Sequence, residues 1–181
     1  MRYGQILKAD IADGIGVRVG LFVSGCHHHC KGCFNQMFWD ENVGEEYTQE
    51  TEDKILEYLN KPYIRGLSLL GGEPLEPSHI NVLTSLVNNV KNTLPTKDIW
   101  VYTGYELEEL MLRSDATIFM LQMCDVLVDG PFILEKKDLR LPFRGSSNQR
   151  VIDLQKTIGE GCWPNNIWNH KIVLSEYGND D

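Results

Sequence analysis

The chain has 181 residues, a net charge of -9 at pH 7 and five cysteines. This length fits one domain, since a domain commonly takes roughly 100–200 residues, and the acidic balance argues against a nucleic-acid-binding protein, which would present a basic face. The odd number of cysteines favours reduced thiols over a secreted disulfide framework. Neither a signal-like segment nor an apolar run of membrane-spanning length is found, so we expect a cytoplasmic protein with no membrane partner.

Short apolar runs alternate with helical patterns along the chain, which is typical of βα units and a parallel sheet. The expected strands are Val17–Val23, Gly66–Leu70, Ile99–Tyr102 and Val126–Val128.

Helical patterns lie between the expected strands. Thr48 precedes an acidic first turn and an amphipathic pattern, and Pro77 opens a second, longer one. Weaker patterns run through Glu106–Arg113 and Ala116–Met123, and Cys124 behind them is interpreted as a small buried apolar residue. The apolar faces of these helices are expected to pack against the sheet.

Three closely spaced cysteines, Cys26, Cys30 and Cys33, follow the first expected strand. They indicate a metal site, and because iron–sulfur clusters usually take four cysteine ligands, three would leave one iron open to an external ligand. The alternative is a structural zinc site completed by one of the histidines at 27–29. Such sites usually place a second ligand pair about 12–20 residues downstream, where none occurs, since the next histidine, His79, stands alone. The three histidines are therefore interpreted as loop residues that could contact a partner.

Each expected strand is followed by a short polar or glycine-rich segment. These segments are Ser24-Gly25-Cys26, Gly71-Gly72-Glu73-Pro74, Thr103-Gly104-Tyr105 and Asp129-Gly130-Pro131-Phe132. The carboxyl ends of parallel strands meet at one edge of a sheet, where α/β proteins place their active sites. The four segments are therefore expected to converge on one mouth.

The Cys-x3-Cys-x2-Cys loop, together with the turn at 71–74, resembles the radical S-adenosylmethionine superfamily. Asp13-Gly14-Ile15-Gly16 before Arg18 is similar to the opening of its glycyl-radical-enzyme activases, with Ile15 in place of the usual proline. Further segments resemble the activating proteins of anaerobic ribonucleoside-triphosphate reductases, and several motifs in one order make the resemblance specific. These segments are Gly32-Cys33-Phe34-Asn35 and residues 98–105, 125–130 and 144–149.

The resemblance implies an α/β fold, an incomplete (βα) barrel with its active site at the C-terminal strand ends, since a full eightfold barrel takes about 250 residues. Residues 1–150 would form the core. Residues 151–181 would be a C-terminal extension of the same domain, with an edge strand expected at Lys171–Leu174 and fraying at 178–181.

The resemblance also implies the site residues. Cys26, Cys30 and Cys33 would bind a [4Fe-4S] cluster. The residues implied to contact S-adenosyl-L-methionine are Gly32, Cys33, Phe34, Gly71, Gly72 and Glu73. Thr103 is added from its place at a strand end, where it would bind the cofactor carboxylate or cap the next helix. No side chain is expected to act as an acid or a base.

The implied activity is the activation of an anaerobic (class III) reductase. Reductive cleavage of S-adenosylmethionine would give a 5′-deoxyadenosyl radical that takes hydrogen from a glycine Cα of the large reductase subunit, leaving a glycyl radical. The implied partners are that subunit and a one-electron donor such as reduced flavodoxin. Two alternatives stay open: a small-molecule radical S-adenosylmethionine enzyme of the deazapurine-forming kind, and a zinc-binding interaction module.

Two other polar residues have competing interpretations. Asp129 would contact ribose, orient the docked glycine loop, or belong to an ordinary Asp-Gly turn. Arg144 would clamp the partner or the cofactor carboxylate, or lie in a solvated turn. Arg18 is expected in a structural ion pair at the strand entrance.

Overall fold

The computed structural model describes residues 1–158 and 172–177, which form an α/β fold around one mixed sheet of seven strands. The strands are β1 (Arg2–Asp10), β2 (Val17–Val23), β3 (Glu45–Glu46), β4 (Ile64–Gly71), β5 (Asp98–Tyr102), β6 (Val126–Asp129) and β7 (Arg150–Asp153). Their order across the sheet is β3-β1-β2-β4-β5-β6-β7. Strands β2, β4, β5 and β6 are parallel, whereas β1 and β7 flank them in antiparallel orientation.

The helices of the described residues connect these strands and pack on the sheet. They are α1 (Gln49–Leu59), α2 (Pro77–Thr93), α3 (Leu107–Leu110), α4 (Asp115–Gln122) and α5 (Leu154–Ile158). The Thr48 side chain caps α1 by accepting the N–H of Thr51, and Pro77 occupies the first position of α2, where its missing N–H costs nothing. Single turns of 3-10 helix lie at Gln36–Phe38 and Leu134–Lys136.

The predicted elements are confirmed where the pattern was strongest. All four central strands are present, each within two residues of its expected ends. The weak pattern at Glu106–Arg113 shortens to the four-residue α3, because the chain turns there and Ser114 caps α4 instead. The expected edge strand at Lys171–Leu174 is reduced to one isolated bridge between Leu174 and Ile152, and Lys171 lies outside the described residues, as do residues 178–181.

The two faces of the sheet differ in what covers them. On β2, Val19, Leu21 and Val23 pack in the main core with the helices. Phe22 faces the other way and packs with Leu70 of β4, and these two side chains line a cavity on the face opposite the helices. Alternation along buried strands thus gives the sheet one helix-covered face and one open to a ligand.

Arg18 lies near the N-terminal ends of the parallel strands, on the sheet face opposite the helices. Its guanidinium is fully buried, donates to Ser68 Oγ at 2.7 Å and pairs with Asp98 Oδ1 at 2.5 Å, and it lies 5.2 Å from the Trp100 ring. The expected structural ion pair is therefore confirmed, and it joins β2, β4 and β5. Within the described range, no helix combines the length and apolar character that crossing a membrane requires.

Candidate metal and cofactor site

A cavity of about 490 Å³ lies at the C-terminal ends of the parallel strands. The four segments predicted to converge all contribute to its wall, through Cys26, Gly71–Glu73, Thr103–Gly104 and Gly130. Much of the remaining wall comes from the long connection between β6 and β7, residues 131–149. Sequence spacing thus predicted the location of the cavity, but not the covering connection.

The three cysteine side chains line this cavity and are partly exposed. The Cys26 N–H donates to Trp39 O at 3.0 Å, and the Cys33 N–H donates to Cys30 O at 3.0 Å, across a turn in which Gly32 has a φ of 76°. No group of three or more His, Cys, Asp or Glu residues in the described ranges is arranged to hold a metal ion. The thiols would therefore have to draw together on a cluster, which three cysteines on one short loop facing one cavity can do.

Burial makes the thiols of Cys26 and Cys30 harder to ionise. Burial raises the pKa of Cys26 to about 11, although the backbone N–H groups of His28 and His29 lower it in part, and burial also raises the pKa of Cys30. A bound metal supplies the charge that stabilises thiolates. An N–H donor is already aimed at sulfur, since Asn35 N lies 3.3 Å from Cys33 Sγ. These residues fit a thiolate-bound iron–sulfur cluster.

The Gly71-Gly72 pair brings two backbone segments into close contact. A Cβ on Gly72 would lie 2.3 Å from Gly25 O, and one on Gly71, whose φ is 112°, would lie 2.6 Å from Val23 N. Gly72 N donates to Val23 O at 2.8 Å, and Glu73 N donates to Gly25 O at 2.7 Å. The turn is therefore bound edge to edge with the chain that enters the cysteine loop, and only glycine fits there.

The Glu73 carboxylate is 1% exposed and accepts bonds from several segments. Its Oε1 accepts from Leu75 N–H and the Thr103 hydroxyl, both at 2.8 Å. Its Oε2 accepts from Gly104 N–H at 2.8 Å and lies 3.0 Å from His28 Nε2. The side chains of Glu73 and Thr103 are thus bonded to each other at the cavity wall, and their contacts to a cofactor stay predictions.

The three histidines of the cysteine loop contact the body of the protein. The His28 ring packs 4.4 Å from Tyr105, the His29 ring packs 4.7 Å from Trp39, and His27 contacts the carboxylate of Glu76. Sequence reasoning missed these contacts because no local pattern shows which residues the histidines meet in the fold. The histidines anchor the loop to the fold.

Phe34 lies at the rim of the cavity and is 53% exposed. Its ring packs 5.3 Å from Phe132, and the Lys137 ammonium lies 4.9 Å from its centre. A Cβ on Gly145 would come within 3.0 Å of both aromatic rings. The predicted place of Phe34 beside an adenine stays a prediction.

Comparison with known proteins decides the family. A family profile described as a 4Fe-4S single cluster domain matches residues 12–152. The anaerobic ribonucleoside-triphosphate reductase-activating protein of Vibrio cholerae is 49% identical over 153 residues, 83% of this chain and 97% of the relative. The protein of the same name from Escherichia coli K12 is 44% identical over 157 residues, covering 86% of this chain and all of the relative. This chain belongs to that family of activating proteins.

Another member of the activating-protein family comes from enterobacteria phage T4 and is 37% identical over 172 residues. That alignment covers 94% of this chain and 99% of the relative, so it must extend beyond residue 150. The resemblance drawn from the motifs is confirmed, and it extends further along the chain than those motifs did.

The Asp129 carboxylate makes hydrogen bonds inside the fold. Its carboxylate is fully buried, Oδ2 accepts the N–H of Leu107 at 2.8 Å, and Oδ1 accepts from Arg150 Nε at 2.9 Å. Both oxygens are therefore bonded within the fold. Arg144 lines the cavity and donates to Gln149 O at 3.1 Å.

Sequence reasoning did not place Asp13 or Tyr102 at the cavity. Asp13 lines the wall, and burial and then the neighbouring Asp10 raise its pKa to about 7. Tyr102 also lines the wall, and its buried hydroxyl has no hydrogen-bond partner among the described residues. Alternation along β5 is the signal that could have placed Tyr102 there. Ile99 and Val101 pack in the helix-covered core, whereas Trp100 and Tyr102 share the opposite face.

Proposed function

We propose that this protein activates an anaerobic ribonucleoside-triphosphate reductase by means of a [4Fe-4S] cluster and S-adenosylmethionine, as the names of its relatives and the matched 4Fe-4S domain support. The observation that carries the proposal is one shared cavity. Cys26, Cys30 and Cys33 line it together with the turn at 71–74, at the C-terminal ends of parallel strands. No observation favours the deazapurine-forming enzyme or the zinc module.

The sheet supports the finer proposal of an incomplete (βα) barrel. Four parallel strands carry helices on one face and the cavity on the other. In this proposal residues 131–149 take the place of the missing strands as a wall. Residues 151–181 would extend the core of residues 1–150.

The ligand assignment follows the cavity wall. The three cysteines would hold the cluster and leave it open to an external ligand, and the backbone of Gly71–Glu73 would hold the amino group of the cofactor beside it. Residues Gly32–Phe34 would flank the adenosine. When bound, the reduced cluster supplies the electron that cleaves the sulfonium, and the cofactor supplies the radical that takes hydrogen from a glycine of the partner. The chain itself binds, orients and shields these groups.

The rim of the cavity suits a large partner. Leu139 is 73% exposed and Phe34 53% exposed, and both line the cavity. An exposed apolar rim is typical of a protein-binding edge. We propose that a loop of the large reductase subunit enters here and that a donor such as reduced flavodoxin supplies the electron.

The test is activation of the reductase from the same source. Anaerobically reconstituted protein, the large subunit, S-adenosylmethionine and a low-potential reductant are mixed, and the glycyl radical is measured by EPR. We expect a radical signal on the large subunit that requires the cofactor and disappears when Cys30→Ala replaces the wild type. A colourless, zinc-containing protein that yields no radical would overturn the proposal.

A further inference from the structure

The cysteine loop has few backbone hydrogen bonds to the rest of the fold. Among the described residues, the Cys26 N–H at one end donates to Trp39 O, whereas the Cys33 N–H at the other end donates to Cys30 O within the loop itself. Between them, the His27 N–H donates to a side chain, Glu76 Oε1, at 3.3 Å. The middle of the loop therefore depends on side chains for its position.

His28 is the loop side chain that contacts the Gly-Gly-Glu-Pro turn. It stands between the first two cysteines, and its Nε2 lies 3.0 Å from the Oε2 of Glu73. An ionised carboxylate only accepts hydrogen bonds, so Nε2 carries the proton and donates it. Glu73 is 1% exposed and the His28 side chain is 15% exposed, so water competes little for this bond.

The ring of His28 also fits its surroundings closely. A Cβ on Gly104 would lie 2.5 Å from His28 Cδ2, so the absence of a side chain there makes room for the ring. Tyr105 packs edge-on at 4.4 Å and His27 stacks at 4.3 Å. The close packing and the hydrogen bond to Glu73 together hold the His28 ring in one orientation.

The same Glu73 carboxylate is bonded to Leu75 N–H and to Thr103 and Gly104 at the end of β5. The carboxylate is therefore a fixed point, and His28 links the metal loop to it. We propose that His28 is a positioning residue that sets the cysteine loop, and hence the cluster, at a defined distance from the turn that would hold S-adenosylmethionine. This inference rests on the proposed function.

The test compares His28 variants with and without a hydrogen-bond donor. His28→Gln keeps an N–H donor at similar reach, whereas His28→Met has a similar length and no donor. His29→Asn is the control in the same loop, because His29 contacts Trp39 rather than Glu73 and Asn tolerates its φ of 47°. Each protein is reconstituted anaerobically, and the reduced-cluster EPR signal is titrated with S-adenosylmethionine, alongside iron content and the KM and kcat of cofactor cleavage.

We expect all variants to take up iron as the wild type does. Groups that orient metal ligands typically change affinity or activity by about 10- to 100-fold when removed. His28→Met should therefore need at least about tenfold more cofactor for its EPR change and show a raised KM, whereas His28→Gln and His29→Asn should stay within about twofold of the wild type. A His28→Met titration that superimposes on the wild-type curve would overturn the inference.

Two further results show whether the proposed function or the positioning role of His28 has failed. A wild-type protein whose EPR signal ignores the cofactor would overturn the proposed function itself. Should His28→Met take up no iron, Gly104→Ala tests the same link, because its new Cβ displaces the His28 ring and leaves the loop sequence intact. Wild-type cofactor dependence in Gly104→Ala would then contradict the positioning role.

Discussion

The fully buried carboxylate of Asp129, at the end of β6, is bonded to the guanidinium of Arg150, at the start of β7, with Arg150 Nε 2.9 Å from Asp129 Oδ1. Arg150 also donates to Glu108 at 2.9 Å, and Asp129 accepts from the first N–H of α3. The pair therefore joins the antiparallel edge strand, the last parallel strand and α3 beside the cavity.

Removing the arginine should leave a buried charge without its partner. We expect Arg150→Met to lower the free energy of unfolding by about 2–3 kcal/mol, somewhat below the range for a fully buried pair because the Arg150 side chain is 29% exposed. Chemical denaturation measures the change. Arg140→Met is the control, since its pair with Asp138 is solvent-exposed and should contribute nothing measurable. Equal effects of the two variants would contradict the prediction.

Gly72→Ala should be destabilising through overlap alone, since its Cβ would lie 2.3 Å from Gly25 O. Overpacking of this kind costs about 1–3 kcal/mol. Gly130→Ala isolates the cost of backbone strain. Gly130 has a φ of 94°, which residues with a side chain rarely adopt, and the atoms nearest to its added Cβ are 3.8 Å away. Gly71→Ala combines both costs and should be the least stable of the three variants. Urea unfolding gives the order, and a Gly71→Ala protein as stable as Gly130→Ala would refute it.

The stability of the fold should depend on pH through the ionisation of Asp13. Its pKa is about 7 in the folded protein, whereas an unfolded Asp titrates near ~3.9. The folded state thus holds this proton more tightly, so the group stabilises the fold at low pH and loses that contribution as pH rises from about 4 to about 7.

Asp13→Asn removes this titration, so the wild type should lose stability relative to the variant across that window. The free energy of unfolding of the cluster-free proteins, measured at several pH values, checks this difference. Asp40→Asn is the control, because hydrogen bonds from Asn42 hold the pKa of Asp40 below its usual value. Parallel curves for the wild type and Asp13→Asn would show that Asp13 titrates normally.

Iron content should separate the cavity cysteines from Cys124. Cys26→Ala, Cys30→Ala and Cys33→Ala should each lose most of the iron and the visible absorption after anaerobic reconstitution, because each would remove one of three ligands. Cys124→Ala should keep wild-type iron, since Cys124 is fully buried and its thiol donates to Met120 O at 3.3 Å within the core. A single cavity variant that retains a full cluster would remove that cysteine from the ligand set.

The sequence by itself determined the features that depend on neighbouring residues. Short apolar runs that alternate with helical patterns revealed β2, β4, β5 and β6, because this alternation is typical of βα units. The spacing of the three cysteines and the Gly71-Gly72 turn revealed the candidate site, because both are short segments whose chemistry is local. Family membership followed from those same segments in order.

Only the tertiary structure decided the contacts between distant segments. Strand β1 escaped prediction because its residues are mostly half-buried or exposed and show no clear pattern. Strand β7 escaped prediction because only its two middle residues, Val151 and Ile152, are apolar. The bonds from His28 to Glu73 and from Arg150 to Asp129 join residues 45 and 21 positions apart, so no local pattern could show them. A buried carboxylate needs a donor, but the path of the folded chain decides which residue supplies it.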